Sequence, residues 1–203
     1  MERPGHPAHT ATAGTGAQMR THGIDEHGHI VLEPGDPAWP AAGADQRRRI
    51  RAALGDDALL VEHVGSTSVP GLVAKPVIDV VLGVADPADE AAYVGPLEAI
   101  GYVIAVREPD WFEHRCLRRS DPAANLHVFA VGCPEIDRMV LFRDRLRASP
   151  EDREIYRAAK TDLAARRWGA VQDYADAKTD VVAAILARAD AGRNARRGRG
   201  ATG

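Results

Sequence analysis

The stretch HVGSTSVPGLVAKPVIDVVLGV, residues 63–84, constrains the fold most. A small, hydroxyl-rich turn (Gly65, Ser66, Thr67, Ser68) follows a short apolar strand. It leads through Pro70, Gly71 and Lys75 into a second strand whose only charge is Asp79. A run as apolar as VIDVVLGV reads as a strand buried on both faces. A carboxylate within it is costly unless a cation, a metal or a hydrogen-bond donor meets it. Small residues at 65–68 let backbone N–H groups and hydroxyls come close to phosphate oxygens. Lys75 can add a point charge to the same group, although a lysine beside a proline is often merely a surface residue.

At 203 residues, with 45% apolar and 27% charged side chains, the chain fits one domain with tails. A formal charge of −3 gives no reason to expect specific nucleic-acid binding or an anionic membrane. Cys116 and Cys133 are isolated, without a CxxC pair, which fits a reducing, cytoplasmic setting. No run reaches the length of a membrane span, and the N-terminus lacks the apolar core of a signal peptide.

Residues 1–28 are rich in Gly, Ala, Thr, Pro and His without periodicity and read as a disordered tail. Residues 190–203, with arginines among glycines, read as a basic flexible tail. The domain between them, 29–189, predicts strands at 29–33, 59–64, 77–84, 102–107, 112–119 and 125–131. Helices are expected at 41–54, 88–100, 135–148, 151–167 and 170–189. Strands first and helices last give an α+β class: a mixed β-sheet backed by helices, with helices at the C-terminal end.

Several cations fall on helix faces that should be apolar. Arg143 and Arg147 lie within the stripe of Ile136, Met139, Val140 and Leu146, and Lys178 lies within that of Val171, Tyr174, Val181 and Ile185. Buried cations need partners. Singly, Arg143 can pair with Asp79 or Glu62, and the others can run their stems along the surface. As a set with Lys75 they outnumber the candidate carboxylates, which favours a cleft for an anionic ligand. Tyr156 and Lys160 repeat the Tyr-x-x-x-Lys spacing of Tyr174 and Lys178, with Lys160 expected at a solvent-exposed flank. Tyr174 either packs in the core or stacks on a base.

The segments HVGSTSVPGLVAKPVIDVV, NLHVF, LFRDRLRASPED and YADAK, with the upstream EPGDPAWP, resemble the GrpB family, also called UPF0157, over about residues 29–188. The resemblance implies a nucleotidyltransferase-like fold. Asp79, thirteen residues after Ser66, matches the layout of the superfamily typified by DNA polymerase beta. There the turn holds a nucleoside triphosphate and strand carboxylates hold the metal, which implies Mg²⁺ at Asp79. Active members carry Asp-x-Asp or Asp-x-Glu, whereas here the second position is Val81. On the neighbouring strand Asn125 and His127 stand where a third carboxylate is expected, with Glu113 nearby. A single transition metal on His63, Asp79, His127 and Glu113 ranks below structural hydrogen bonding. Related domains occur fused to dephospho-coenzyme A kinase, which implies coenzyme A precursors or that kinase as partners.

Two functions are compatible with these residues. The first is a binding or accessory module for a nucleotide or other phosphorylated small molecule, held by Gly65, Ser66, Thr67, Lys75, His127, Arg143, Arg147, Tyr174 and Lys178. The alternative is a metal-dependent nucleotidyltransferase or phosphotransferase in which Asp79 is catalytic and binds Mg²⁺. Both require the cations, Asp79 and His127 to converge on one cleft.

Overall fold

The computed structural model describes Asp25 and residues 27–200, with side chains through Arg193. The expected tail at 1–28 therefore falls almost wholly outside the described residues. The architecture is α+β, with a five-stranded mixed sheet between helices. Its strands are β1 (Leu60–Val64), β2 (Ile78–Val84), β3 (Val103–Glu108), β4 (His114–Ser120) and β5 (Ala123–Ala130), in the order β1-β2-β5-β4-β3. β2 pairs antiparallel with β1 and parallel with β5, so Asp79 lies opposite Val64 on one side and Asn125 on the other.

Alternation along β2 assigns its two faces. Ile78, Val80, Leu82 and Val84 point toward α1 (Trp39–Leu54) and α2 (Glu90–Ala99), joining Ile50, Leu97, Leu126 and Val128 in the main core. Burying each such side chain contributes roughly 1.5–3 kcal/mol, which explains why this strand tolerates almost nothing polar. Asp79 and Val81 point to the opposite face. Over Val81 and Phe129 lies α3 (Pro134–Ala148), with Ile136, Met139 and Val140 closing a second cluster. Over Asp79 the cover comes instead from α4 (Pro150–Ala164) and from the corner between α5 (Val171–Asp176) and α6 (Thr179–Gly200).

Three local results differ from expectation. The helix expected at 170–189 is two helices. Lys178 N bonds to Ala175 O, three residues back, and this tightened turn ends α5 and redirects the chain into α6. α6 then continues past Ala189 to Gly200, so residues 190–200 of the segment read as a flexible tail at 190–203 are helical. Residues 29–33 do not join the sheet; they make isolated bridges from His29 to Arg167 and from Glu33 to Ala74. The second bridge ties the N-terminal segment to the loop that carries Lys75.

The helical layer is fastened by Asp152, 1% exposed, whose carboxylate accepts from Arg145 of α3 and Arg188 of α6. Burial works to raise the Asp152 pKa, yet the two arginines together hold it below the ordinary carboxylate value. A lowered native pKa gives stability that is full above the unfolded carboxylate value and lost as pH falls through the native one. Asp152→Asn is expected to lower stability by about 2–3 kcal/mol at neutral pH. Urea titrations at several pH values should show that gap narrowing in acid.

Candidate functional site

The turn after β1 begins at Gly65, with φ +69° and ψ −173°, a region that essentially only glycine occupies. A Cβ on Gly65 would overlap the Asp79 carboxylate. Glycine is therefore required both by the backbone and by the close approach of Asp79. The other side of that carboxylate is fixed by Asn125, whose Nδ2 donates to Oδ1 at 2.9 Å. The fixed carboxylate forms the floor of a cavity of about 200 Å³.

Above the floor, two helical segments each bring a tyrosine and a lysine. On α4 Tyr156 lines the cavity together with Ser66, and the Lys160 ammonium lies 5.4 Å from the Tyr156 ring centroid. At the α5–α6 corner, Lys178 lies 3.5 Å from the Tyr174 ring centroid and donates to Tyr174 O at 2.9 Å. Lys160 donates to Val73 O. With Lys75, these bring three ammonium groups to one cavity whose lining has a single carboxylate, Asp79. Among the described residues none of the three lysines makes an ion pair.

The electrostatics reflect that imbalance. Burial pulls Lys160 down to about 7, with Lys75 adding to the fall and Asp79 opposing it. Lys178 is likewise brought down to about 7, by burial first and then by repulsion from Lys75 and Lys160. Lys75 is lowered by burial, with Asp79 working against it. Burial pushes the Tyr156 phenol up to about 12, so it remains a donor. Tyr174 is 2% exposed, and its hydroxyl has no hydrogen-bond partner among the described residues. An orphaned buried hydroxyl is unfavourable, so the site has unused hydrogen-bonding capacity as well as unused charge.

Of the residues singled out from sequence, Gly65, Ser66, Thr67, Lys75, Asp79, Tyr174 and Lys178 line this cavity. Arg143, Arg147 and His127 do not. Arg143 donates to Glu62 at 2.7 Å, to Asp144 at 2.8 Å and to His63 O at 3.0 Å. Arg147 places two bonds on Ser68 O, at 2.8 and 3.0 Å. Arg143 is buried whereas Arg147 is exposed, yet both guanidinium groups reach back from α3, one to β1 and the other to the turn behind the cavity. His127 Nδ1 lies 3.1 Å from His114 Nε2, and His114 Nδ1 lies 2.6 Å from Glu108. Burial lowers the basicity of His127. Thr67 lines the cavity, yet its hydroxyl donates to Val77 O at 3.2 Å and accepts from His63 Nε2 at 3.1 Å. Lys160, expected at a solvent-exposed flank, is 3% exposed and belongs to the cavity. Its spacing from Tyr156 was the available signal.

The donor set does not suit Mg²⁺ held by protein alone. Mg²⁺ prefers near-octahedral oxygen ligation, and here one carboxylate faces three ammonium groups. The residues considered for a transition metal also separate. His63 faces α1, where a Cβ on Gly43 would strike its ring, and Glu113 pairs with Arg115 in the β3–β4 turn. Among the described residues no cluster of three or more His, Cys, Asp or Glu side chains is placed to hold an ion.

With this geometry in place, comparison with known proteins decides the family. The model of the GrpB family, described as GrpB protein, matches residues 29–188. The chain belongs to the GrpB family. A UPF0157 protein of Halalkalibacterium halodurans is 54% identical over 162 residues, covering 80% of this chain and 83% of that protein. The crystal structure of the conserved protein GrpB from Enterococcus faecalis superposes with a TM-score of 0.69 at 28% identity, over 78% of this chain and 96% of that one. A dephospho-CoA kinase of Mycolicibacterium paratuberculosis is 34% identical over 175 residues, covering 73% of this chain and 43% of the kinase. Among the described residues no helix is long and apolar enough to cross a membrane.

Gly65→Ala is expected to destabilise the GrpB domain by roughly 1–3 kcal/mol, because it forces a forbidden backbone conformation and displaces Asp79. Thermal unfolding of Gly65→Ala beside Gly71→Ala separates these effects. Gly71 also has positive φ, +75°, but open space where a Cβ would go.

Proposed function

We propose that this GrpB protein binds a phosphorylated small molecule in the lysine cavity and acts as a binding or accessory module. The convergence of Lys75, Lys160 and Lys178 on a cavity with one carboxylate carries the reading. With all three lysines protonated, as a bound anion would favour, they leave a net charge of about +2 against the one carboxylate. A phosphomonoester, which carries about −1.5 to −2 near neutral pH, offsets that charge better than a singly charged diester does. Tyr156, Tyr174 and Ser66 supply hydroxyls at the same place, so oxygens of the ligand meet both charge and hydrogen-bond partners.

The cavity, about 200 Å³, is below the ~300–1,000 Å³ usual for small-molecule sites. This favours capture of a phosphoryl end over enclosure of a whole nucleotide. The likeness to dephospho-CoA kinases brings coenzyme A precursors, and the kinase itself, into the set of partners this reading admits. Metal-dependent transfer at Asp79 has less support, because Val81 is buried in the cluster beneath α3 and adds no second carboxylate.

Thermal-shift titration with phosphomonoesters tests the reading. Binding to the native state alone adds about 2.7 kcal/mol at ~100 times the dissociation constant, so modest affinity is visible. Stabilisation is expected without Mg²⁺ and should weaken about tenfold or more in affinity in Lys178→Ala and Lys160→Ala, as for loss of a charge-assisted hydrogen bond. Stabilisation that requires Mg²⁺ and disappears in Asp79→Asn would replace this reading with metal-dependent transfer. No shift with any phosphomonoester would remove the phosphate site.

A further inference from the structure

We propose that the ligand of the lysine cavity is a phosphomonoester bearing an apolar arm, and that the arm lies in a groove beside the cavity. This inference rests on the phosphate reading and adds the chemistry of the remainder of the ligand. The groove, about 380 Å³, is lined by Ile30, Leu32, Pro34, Val73 and Ala164, with Thr161 and Ala165 completing its wall. Among the described residues no charged side chain lines it.

Three chain segments serve both spaces. Leu32 lines the cavity and the groove alike. Ala74 lines the cavity, and its neighbour Val73 lines the groove. Lys160 lines the cavity, and its neighbour Thr161 lines the groove. The Lys160 ammonium bonds to Val73 O, so it stands at the seam between them. The Glu33–Ala74 bridge holds two of these segments side by side. An anion seated among the lysines therefore has its substituent directed either into solvent or along Leu32 into an apolar trough.

Size points the same way. The cavity takes a phosphoryl group and a few further atoms, so most of a larger ligand has to lie outside it. Apolar atoms that leave water there gain affinity without any new polar contact, about fourfold for each fully buried methylene. The phosphate fixes the register of the arm, and the groove discriminates by the substituent attached to the phosphate. A charged or strongly hydrated substituent gains nothing in it.

The test is a calorimetric titration of the full chain with ethyl, butyl and hexyl phosphate, with 1-hexanol as the arm alone. Binding is expected to tighten along the series, with hexyl phosphate at least about tenfold tighter than ethyl phosphate. Thr161→Gln and Ala165→Gln, both exposed positions, should abolish the gain while ethyl phosphate binds unchanged. If ethyl and hexyl phosphate bind alike, the groove inference is overturned and the phosphate site stands. If none binds, both fall together. A gain that survives both glutamine variants, or 1-hexanol binding as tightly as hexyl phosphate, overturns the inference in favour of unspecific apolar adsorption. A gain seen only after deletion of residues 1–24 assigns the groove to the chain's own N-terminal segment and also overturns it.

Discussion

The contact of the Asp79 carboxylate with the bare Cα of Gly65 is the constraint around which the site is organised. It joins the turn after β1 to the start of β2, and it is possible only where the backbone adopts a conformation reserved for glycine. Asn125 then fixes the carboxylate from β5, the parallel neighbour. Arg147 holds the turn from behind through Ser68 O, and Arg143 holds β1 through Glu62. A carboxylate positioned by glycine, amide and turn presents a rigid floor. The lysines above it are placed by a different part of the chain, the C-terminal helices.

Those lysines give the site its character. Lys160 and Lys178 each have an aromatic ring and a carbonyl for partial support, yet no carboxylate of their own. Cation–π contact and a carbonyl bond soften the desolvation of a lysine without neutralising it. Lys160 and Lys178 consequently lose affinity for protons, and the native state carries a penalty that is full below about pH 7 and relieved as pH rises toward the ordinary lysine value. A dianion bound in the cavity would offset that penalty wherever it persists. The cluster is thus strained as it stands, and the proposed phosphorylated ligand would relax it.

Much of the fold is legible in the sequence because β2 and the α1 and α3 stripes follow the two simple periodicities of strand and helix. The floor of the site is legible for the same reason: a lone carboxylate in VIDVVLGV has to be accommodated. The roof is harder to read. Lys160 sits at the flank of its own helix, but α4 is packed by α6 on one side and by the N-terminal segment on another, so its flank is interior. The α5–α6 corner lies in YADAKTD, which has neither glycine nor proline to mark a break. Arg143 and Arg147 show the converse. Their side of α3 is readable, whereas the burial of Arg143, the exposure of Arg147 and their partners, Glu62 and Ser68 O, are set by how α3 lies across β1. Phase fixes where a side chain points, and only tertiary packing fixes what it meets.

Unneutralised lysines define this site, and proton linkage tests that claim most directly. Ethyl phosphate at pH 8 is already mostly dianionic, since phosphate esters have a second pKa of about 6. Lys160 and Lys178, at about 7 in the free protein, are mostly neutral at that pH. Binding that restores their charge must take up protons, roughly one to two per ligand. Calorimetric titration in two buffers of different ionisation enthalpy measures that number. Net uptake is predicted at pH 8, falling away toward pH 6. Binding with no proton uptake at pH 8 would contradict the claim.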